Sequence, residues 1–158
     1  MCGRYTLKTD ASEIAKLFAV EEVPSVAPRY NIAPSQDVRV VRVAEGEGNR
    51  EMNLFRWGLI PSWAKDPKVG HKLINARSET VMEKPSFREA FKKRRCLIAA
   101  DGFFEWEKER RGGRKQPYYF TLKDERPFAF AGLYERWRGE DGKVINSGSR
   151  VQRNVKPG

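Results

Sequence analysis

Histidine occurs once in this 158-residue chain and cysteine twice, at Cys2 and Cys96. Two cysteines make no disulfide framework, and a lone histidine with two distant thiols cannot build a zinc finger of the usual ligand spacing. The expectation is a reducing, cytoplasmic setting with no structural metal and no cofactor. Long apolar runs are missing too. None approaches the ~18 residues of a membrane span, and the N-terminus has no apolar stretch of the signal-peptide kind, so neither membrane insertion nor export is expected.

Apolar residues make up 39% of the chain and charged residues 33%, against about 45–50% and about 25% in ordinary globular domains. Four Trp, nine Phe and five Tyr nevertheless supply large side chains to bury and argue against disorder. The length suits one domain, which can hold a core without a covalent or metal staple. What is abundant is positive charge: 31 Lys and Arg against 21 Asp and Glu leave a net +10. Such a field favours polyanionic partners, nucleic acid first. The stretch Lys84–Lys115 carries 11 basic and five acidic residues, so +6 of the +10 lies there. A plain solvated face is the alternative, and Lys92–Arg95 also suits the negative end of a helix dipole.

Cys2–Leu7 reads as a strand, and Asp10 followed by Glu13 opens a helix with Ile14, Leu17 and Phe18 on one face. After a proline-rich loop, Val38–Val43 and Met52–Ile60 read as a hairpin. Ser86 and Glu89 open a second helix that turns Phe87, Ala90 and Phe91 inward. Strands follow at Cys96–Ala100, Phe103–Lys108, Tyr118–Leu122 and Phe128–Tyr134, with a basic turn at Arg110–Arg114. No internal repeat is visible. The pattern predicts an α+β single domain: a curved, barrel-like, mostly antiparallel sheet with flanking helices. Arg138–Gly158 breaks the pattern, with Val144, Ile145, Val151 and Val155 as its only apolar residues among 21. Residues 1–137 are therefore expected to form the domain and 138–158 a flexible tail, with an uncovered sheet edge open to self-association of an otherwise monomeric chain.

Cys2 follows the initiator Met, and so small a side chain is compatible with Met1 removal. An N-terminal cysteine joins an α-amine of reference pKa near 7.7–8.0, unlike lysine at about 10.4, to a thiol placed to close a five-membered thiazolidine on an imine. The alternative is a small buried cysteine. Glu105 lies among aromatics in Asp101-Gly102-Phe103-Phe104-Glu105-Trp106, where burial would suit it to proton transfer, or it is a paired acid on an outer face. Asn75 and Arg77 could orient a reacting group and fork onto phosphate, or could stabilise their loop. Arg4 is a phosphate ligand if Cys2 is reactive and otherwise a surface charge, Trp63 a base-stacking platform or a side chain half-buried under its loop, and His71 a solvated loop residue.

Taken together, Met1-Cys2-Gly3-Arg4-Tyr5, Arg29-Tyr30-Asn31-Ile32-Ala33-Pro34, Trp57-Gly58-Leu59-Ile60-Pro61-Ser62-Trp63, Ile74-Asn75-Ala76-Arg77-Ser78-Glu79-Thr80 and the Asp101–Trp106 run resemble the SRAP family of SOS-response-associated peptidases or abasic-site-processing proteins. The resemblance implies a single α+β domain that binds single-stranded DNA along a basic groove. It also implies that Cys2, after Met1 removal, joins covalently to the ring-opened sugar of an abasic site. By the same likeness Asn75 orients the sugar, Glu105 moves a proton, Arg4 and Arg77 hold phosphates and Trp63 lines the DNA path.

The family continues past this point with a histidine in a His-x-Arg-Met-Pro-like motif, which this chain lacks; His71 does not match it, and Gly148–Asn154 replaces a threonine-rich apolar strand. The chain therefore reads as truncated or altered at its C-terminus, with reduced activity expected. Two other function classes stay open: a cysteine-type peptidase acting on its own N-terminus, and a non-catalytic single-strand-binding module.

Overall fold

Tyr5, Thr6 and Leu7 are all buried in the first strand, β1 (Arg4–Leu7), with only Arg4 turned to solvent. A strand covered on both faces sits in the middle of a sheet, and β1 lies inside a four-stranded sheet, between β2 (Arg29–Ile32) and β7 (Gly102–Trp106), with β8 (Pro117–Phe120) beyond β7. The computed structural model describes residues 2–107 and 113–153. Asp10 caps α1 (Ala11–Phe18) by accepting from the Ser12 N–H at 2.7 Å. Of the three apolar residues expected on its inner face, Ile14 and Phe18 are buried while Leu17 is 48% exposed; an eight-residue helix resting on a sheet covers a stripe narrower than the i, i+3, i+4 pattern allows.

The proline-rich loop holds a strand the sequence pattern did not show, β2 (Arg29–Ile32), which buries only Ile32 and pairs with β1. The expected hairpin is present as β3 (Asp37–Val43) and β4 (Arg50–Trp57), in register from Asp37↔Arg56 to Val43↔Arg50. β4 stops short of Ile60 because Gly58 has φ +126°, and a Cβ there would lie 2.5 Å from the Gly70 carbonyl oxygen. A 3-10 turn (Pro67–Lys72) leads into β5 (Asn75–Arg77). In α2 (Arg88–Lys93) the N-cap is Phe87, without a side-chain cap bond, so Ser86 does not open the helix as expected. Phe87 and Ala90 are buried, and Phe91 packs against the same cluster.

β6 (Arg95–Ala100), β7 (Gly102–Trp106), β8 (Pro117–Phe120), β9 (Phe128–Arg138) and β10 (Val144–Gln152) complete the fold. Lys108, expected to end β7, and most of the basic turn at Arg110–Arg114 lie outside the described residues. The second sheet runs β4-β3-β6-β9-β10-β5, and β10 also pairs with β4, closing five strands into a barrel. The architecture is the α+β, curved, barrel-like and mostly antiparallel one expected. Its parallel pairings are those of β10 with β4 and β5.

β10 overturns the flexible tail over residues 144–152. It pairs with β9 from Val144↔Arg138 to Arg150↔Gly132, then with β4 through Ser147 and Gly148, then with β5 from Arg150 to Gln152. Its centre is small and polar, yet Ser147 and Ser149 are fully buried. Backbone partners explain this: Ser147 Oγ accepts from the Ile60 N–H at 2.8 Å, and the Gly148 carbonyl accepts from the Gly58 N–H at 2.8 Å. A strand threaded between two others needs small residues and satisfied amides more than apolar alternation. Residues 154–158 lie outside the described part.

The two sheets meet at Tyr5, whose ring packs edge-on against Trp57 at 5.3 Å and Phe130 at 5.7 Å. Asp101, 1% exposed, fastens the far end of β1. Its carboxylate accepts from Thr6 Oγ1 at 2.5 Å, from the Lys8 and Thr9 N–H groups at 2.6 and 2.9 Å, and from Thr9 Oγ1 at 2.8 Å.

Candidate functional site

Cys2 sits just ahead of β1 and is 1% exposed. Its thiol donates to the Arg4 carbonyl at 3.0 Å. Its own carbonyl oxygen accepts twice, from Asn75 Nδ2 at 3.1 Å and from Arg150 Nη1 at 3.3 Å. Asn75 on β5 and Arg150 on β10 are register partners, so two strands present their side chains side by side to the start of a third. The Arg150 guanidinium carbon stands 3.6 Å over the Phe130 ring. Phe130 in turn meets Tyr5 and, at 5.9 Å, Phe103.

The β1–β7 register pairs Arg4 with Phe104 and Tyr5 with Phe103. Continued one step, it sets Glu105 opposite Gly3, on the sheet face shared by Tyr5 and Phe103, which is the face turned to Phe130. Glu105 is half-buried there and pairs across β8 with Tyr118. Arg77 is exposed two residues beyond Asn75, hence on the same face of β5. Arg4 is exposed and donates to Asn31 Oδ1 on β2 at 3.1 Å, which ties together two of the sequence blocks that resemble the family.

Trp63 is 64% exposed in the loop after Ile60. That loop is anchored elsewhere: the Ser62 N–H donates to Glu135 Oε2 at 3.1 Å, and Trp137 Nε1 donates to the Ala64 carbonyl at 2.7 Å. His71 is exposed as expected, but its ring is engaged, with Nδ1 2.9 Å from Ser35 Oγ and Nε2 3.5 Å from Arg56 Nη2. Arg94, read from sequence as a helix-dipole cation, instead forms an ion pair with Glu135.

Burial holds the Tyr5 phenol well above its ordinary range, against the pull of Arg29 and Arg150, so it stays protonated. Burial beside Arg29 lowers Arg39. Among the described residues no cluster of three or more His, Cys, Asp or Glu could hold a metal. The sequence pattern did not find Arg150 or Phe130. Arg150 stood in an apolar-poor stretch with no periodicity to mark it, and Phe130 read only as strand core.

A thiol-bearing residue next to the chain start is thus gripped through its main chain by an amide and a guanidinium. The family profile described as SOS response associated peptidase (SRAP) matches residues 1–153, running on through β10. This chain belongs to the SRAP family. Among SRAP relatives, it is 46% identical over 148 residues to the abasic site processing protein YoqW of Bacillus subtilis (strain 168), covering 92% of this chain and 65% of that one. The abasic site processing protein HMCES of Xenopus tropicalis is 32% identical over 142 residues, covering 73% and 42%. The crystal structure of a protein from Bacteroides thetaiotaomicron superposes with a TM-score of 0.84 at 29% identity, covering 95% and 67%. The chain spans less than two thirds of the length of the two curated relatives.

Proposed function

We propose that this chain captures abasic sites in single-stranded DNA by forming a covalent bond through Cys2 after Met1 is removed. The observation that carries the reading is the double grip on the Cys2 carbonyl by Asn75 and Arg150. Holding a nucleophile in one orientation is how a site raises effective concentration. SRAP membership and relatives named for abasic-site processing support the substrate.

In this reaction the free α-amine of Cys2 adds to the sugar aldehyde carbon. The carbonyl oxygen leaves as water, taking two protons, and an imine remains. The thiol then adds across the imine: sulfur bonds to carbon, its proton passes to nitrogen, and a thiazolidine closes with one water lost overall. In this reading Glu105 moves the protons and Asn75 orients the sugar. Arg4 and Arg77 hold flanking phosphates as exposed guanidinia, and Trp63 offers a stacking face along the DNA path. The chain acts as a cytoplasmic monomer and needs no cofactor for these steps.

Met-processed protein incubated with an abasic single strand should give an adduct that survives heat and denaturant, with a mass equal to the sum less one water. Cys2→Ser should give only an imine that borohydride must trap. An equal rate of borohydride-independent adduct from Cys2→Ser would overturn the reading. The family description as a peptidase also favours a second reading, cleavage of the Met1–Cys2 bond at this same site. Turnover of short Met-Cys peptides would show it, and salt-sensitive binding with neither activity would leave only a binding module.

A further inference from the structure

Arg150 is 5% exposed, yet what compensates its charge is a carbonyl dipole and an aromatic face: the Cys2 oxygen at 3.3 Å and the Phe130 ring at 3.6 Å. Its Nε is buried without a hydrogen-bond partner, as is Asn75 Oδ1 beside it. A guanidinium spent only on stability would sit better against a carboxylate. Here it faces the one residue whose main-chain nitrogen is to become the nucleophile.

We propose that Arg150 is a positioning residue for capture: it fixes the Cys2 main chain through the carbonyl oxygen and holds a permanent positive charge beside the Cys2 terminus. This rests on the reading of Cys2 as the point of attachment. A cation a few ångströms from an amine disfavours the ammonium form, so more of the amine is free at neutral pH. The charged groups that act on the neighbouring Tyr5 phenol, which burial keeps protonated, are Arg29 on β2, Arg39 on β3 and Arg150 itself, and on the strands that carry the Cys2 segment the ionisable neighbours in register are Arg4 on β1 and Glu105 on β7. Asn75 on β5 carries no charge. Among the described residues, Arg150 is the cation whose guanidinium hydrogen-bonds Cys2.

The test uses Met-processed full-length protein labelled with 15N-cysteine. Only two cysteines exist, so the Cys2 amine is read without crowding. In the unsubstituted protein its pKa should fall below the 7.7–8.0 reference for an α-amine. Arg150→Met should raise it by about one unit and slow adduct formation at pH 7 about four- to fivefold more than at pH 9, where only the pH-independent loss of the main-chain grip remains, while Arg150→Lys keeps the lower pKa. An amine pKa at or above the reference in the unsubstituted protein overturns the inference, and needs no variant to fold. An unchanged pH–rate midpoint in a folded Arg150→Met protein also overturns it. Adduct formation by the unsubstituted protein in either case leaves the Cys2 reading standing; absence of any adduct, with a depressed amine pKa, removes that reading and keeps the electrostatic role of Arg150.

Discussion

At the scale of single residues, the Cys2 carbonyl has two donors and each is separable. Asn75→Ala removes the neutral one at 3.1 Å and leaves Arg150 in place. Capture should slow by about 10- to 100-fold with little change in melting temperature, because orientation rather than burial is lost; single-turnover adduct assays beside a thermal melt would check this. Asp101 makes the opposite case. It gathers four hydrogen bonds from Thr6, Lys8 and Thr9 in a fully buried position. Asp101→Ala strands those donors and should cost about 3–5 kcal/mol, read from denaturant unfolding. Asp101 stood in the same sequence block as Glu105, and nothing in that block alone told the buried structural acid from the half-buried one on β7. The β1–β7 register separates them.

At the scale of elements, β10 is the decisive strand. With Arg150 buried and the strand paired on both sides, trypsin should leave the Arg150–Val151 bond intact under native conditions. Cleavage there at the rate seen in unfolded protein, by intact mass, would contradict the pairing. A chain ending at Lys143 should lose cooperative unfolding, since β9 and β4 would both lack their barrel neighbour. Gly58, just past the end of β4, is the corresponding point there. Its positive φ and the close approach to Gly70 leave no room for Cβ. Gly58→Ala should therefore destabilise by more than the roughly 1 kcal/mol of an ordinary glycine exchange, and its effect should be read as a lowered melting temperature with the β4–β10 contact disturbed.

For the whole molecule, charge and buried titratable groups set two condition dependences. The net +10 predicts that single-stranded DNA binding weakens steeply with salt, and that Arg77→Ala lowers the salt slope by about one without changing sequence preference. A flat salt response would remove the groove reading. Alkaline stability follows from Cys96 and Tyr5. Burial pushes the Cys96 thiol up to about 12 and the Tyr5 phenol above its usual range. The unfolded chain releases these protons near pH 9 and 10 while the native chain keeps them, so the native state binds more protons and stability falls as pH rises. The loss begins near pH 9, at up to about 1.4 kcal/mol per unit for each group. Cys96→Ala should flatten the thiol's share of that slope between pH 9 and 12 in denaturant titrations.

Most strands of this fold were legible because β-branched and aromatic runs between turn residues leave little else to form, and the Asp10 cap marked α1. Of the residues singled out in the sequence, Cys2 and Asn75 come into hydrogen-bond contact in the fold, and Cys2 could be singled out because an N-terminal cysteine has a chemistry of its own wherever it sits. β2, β5 and β10 were hidden for one physical reason: each is short or small-residued and is held by pairing with distant strands, not by an apolar face. Which face of β7 Glu105 takes, how the loop that carries Trp63 is anchored, and that Arg150 reaches the Cys2 carbonyl are facts of register and closure. Local sequence cannot encode them, since they exist only once β10 has passed between β9 and β4 and come to rest along β5.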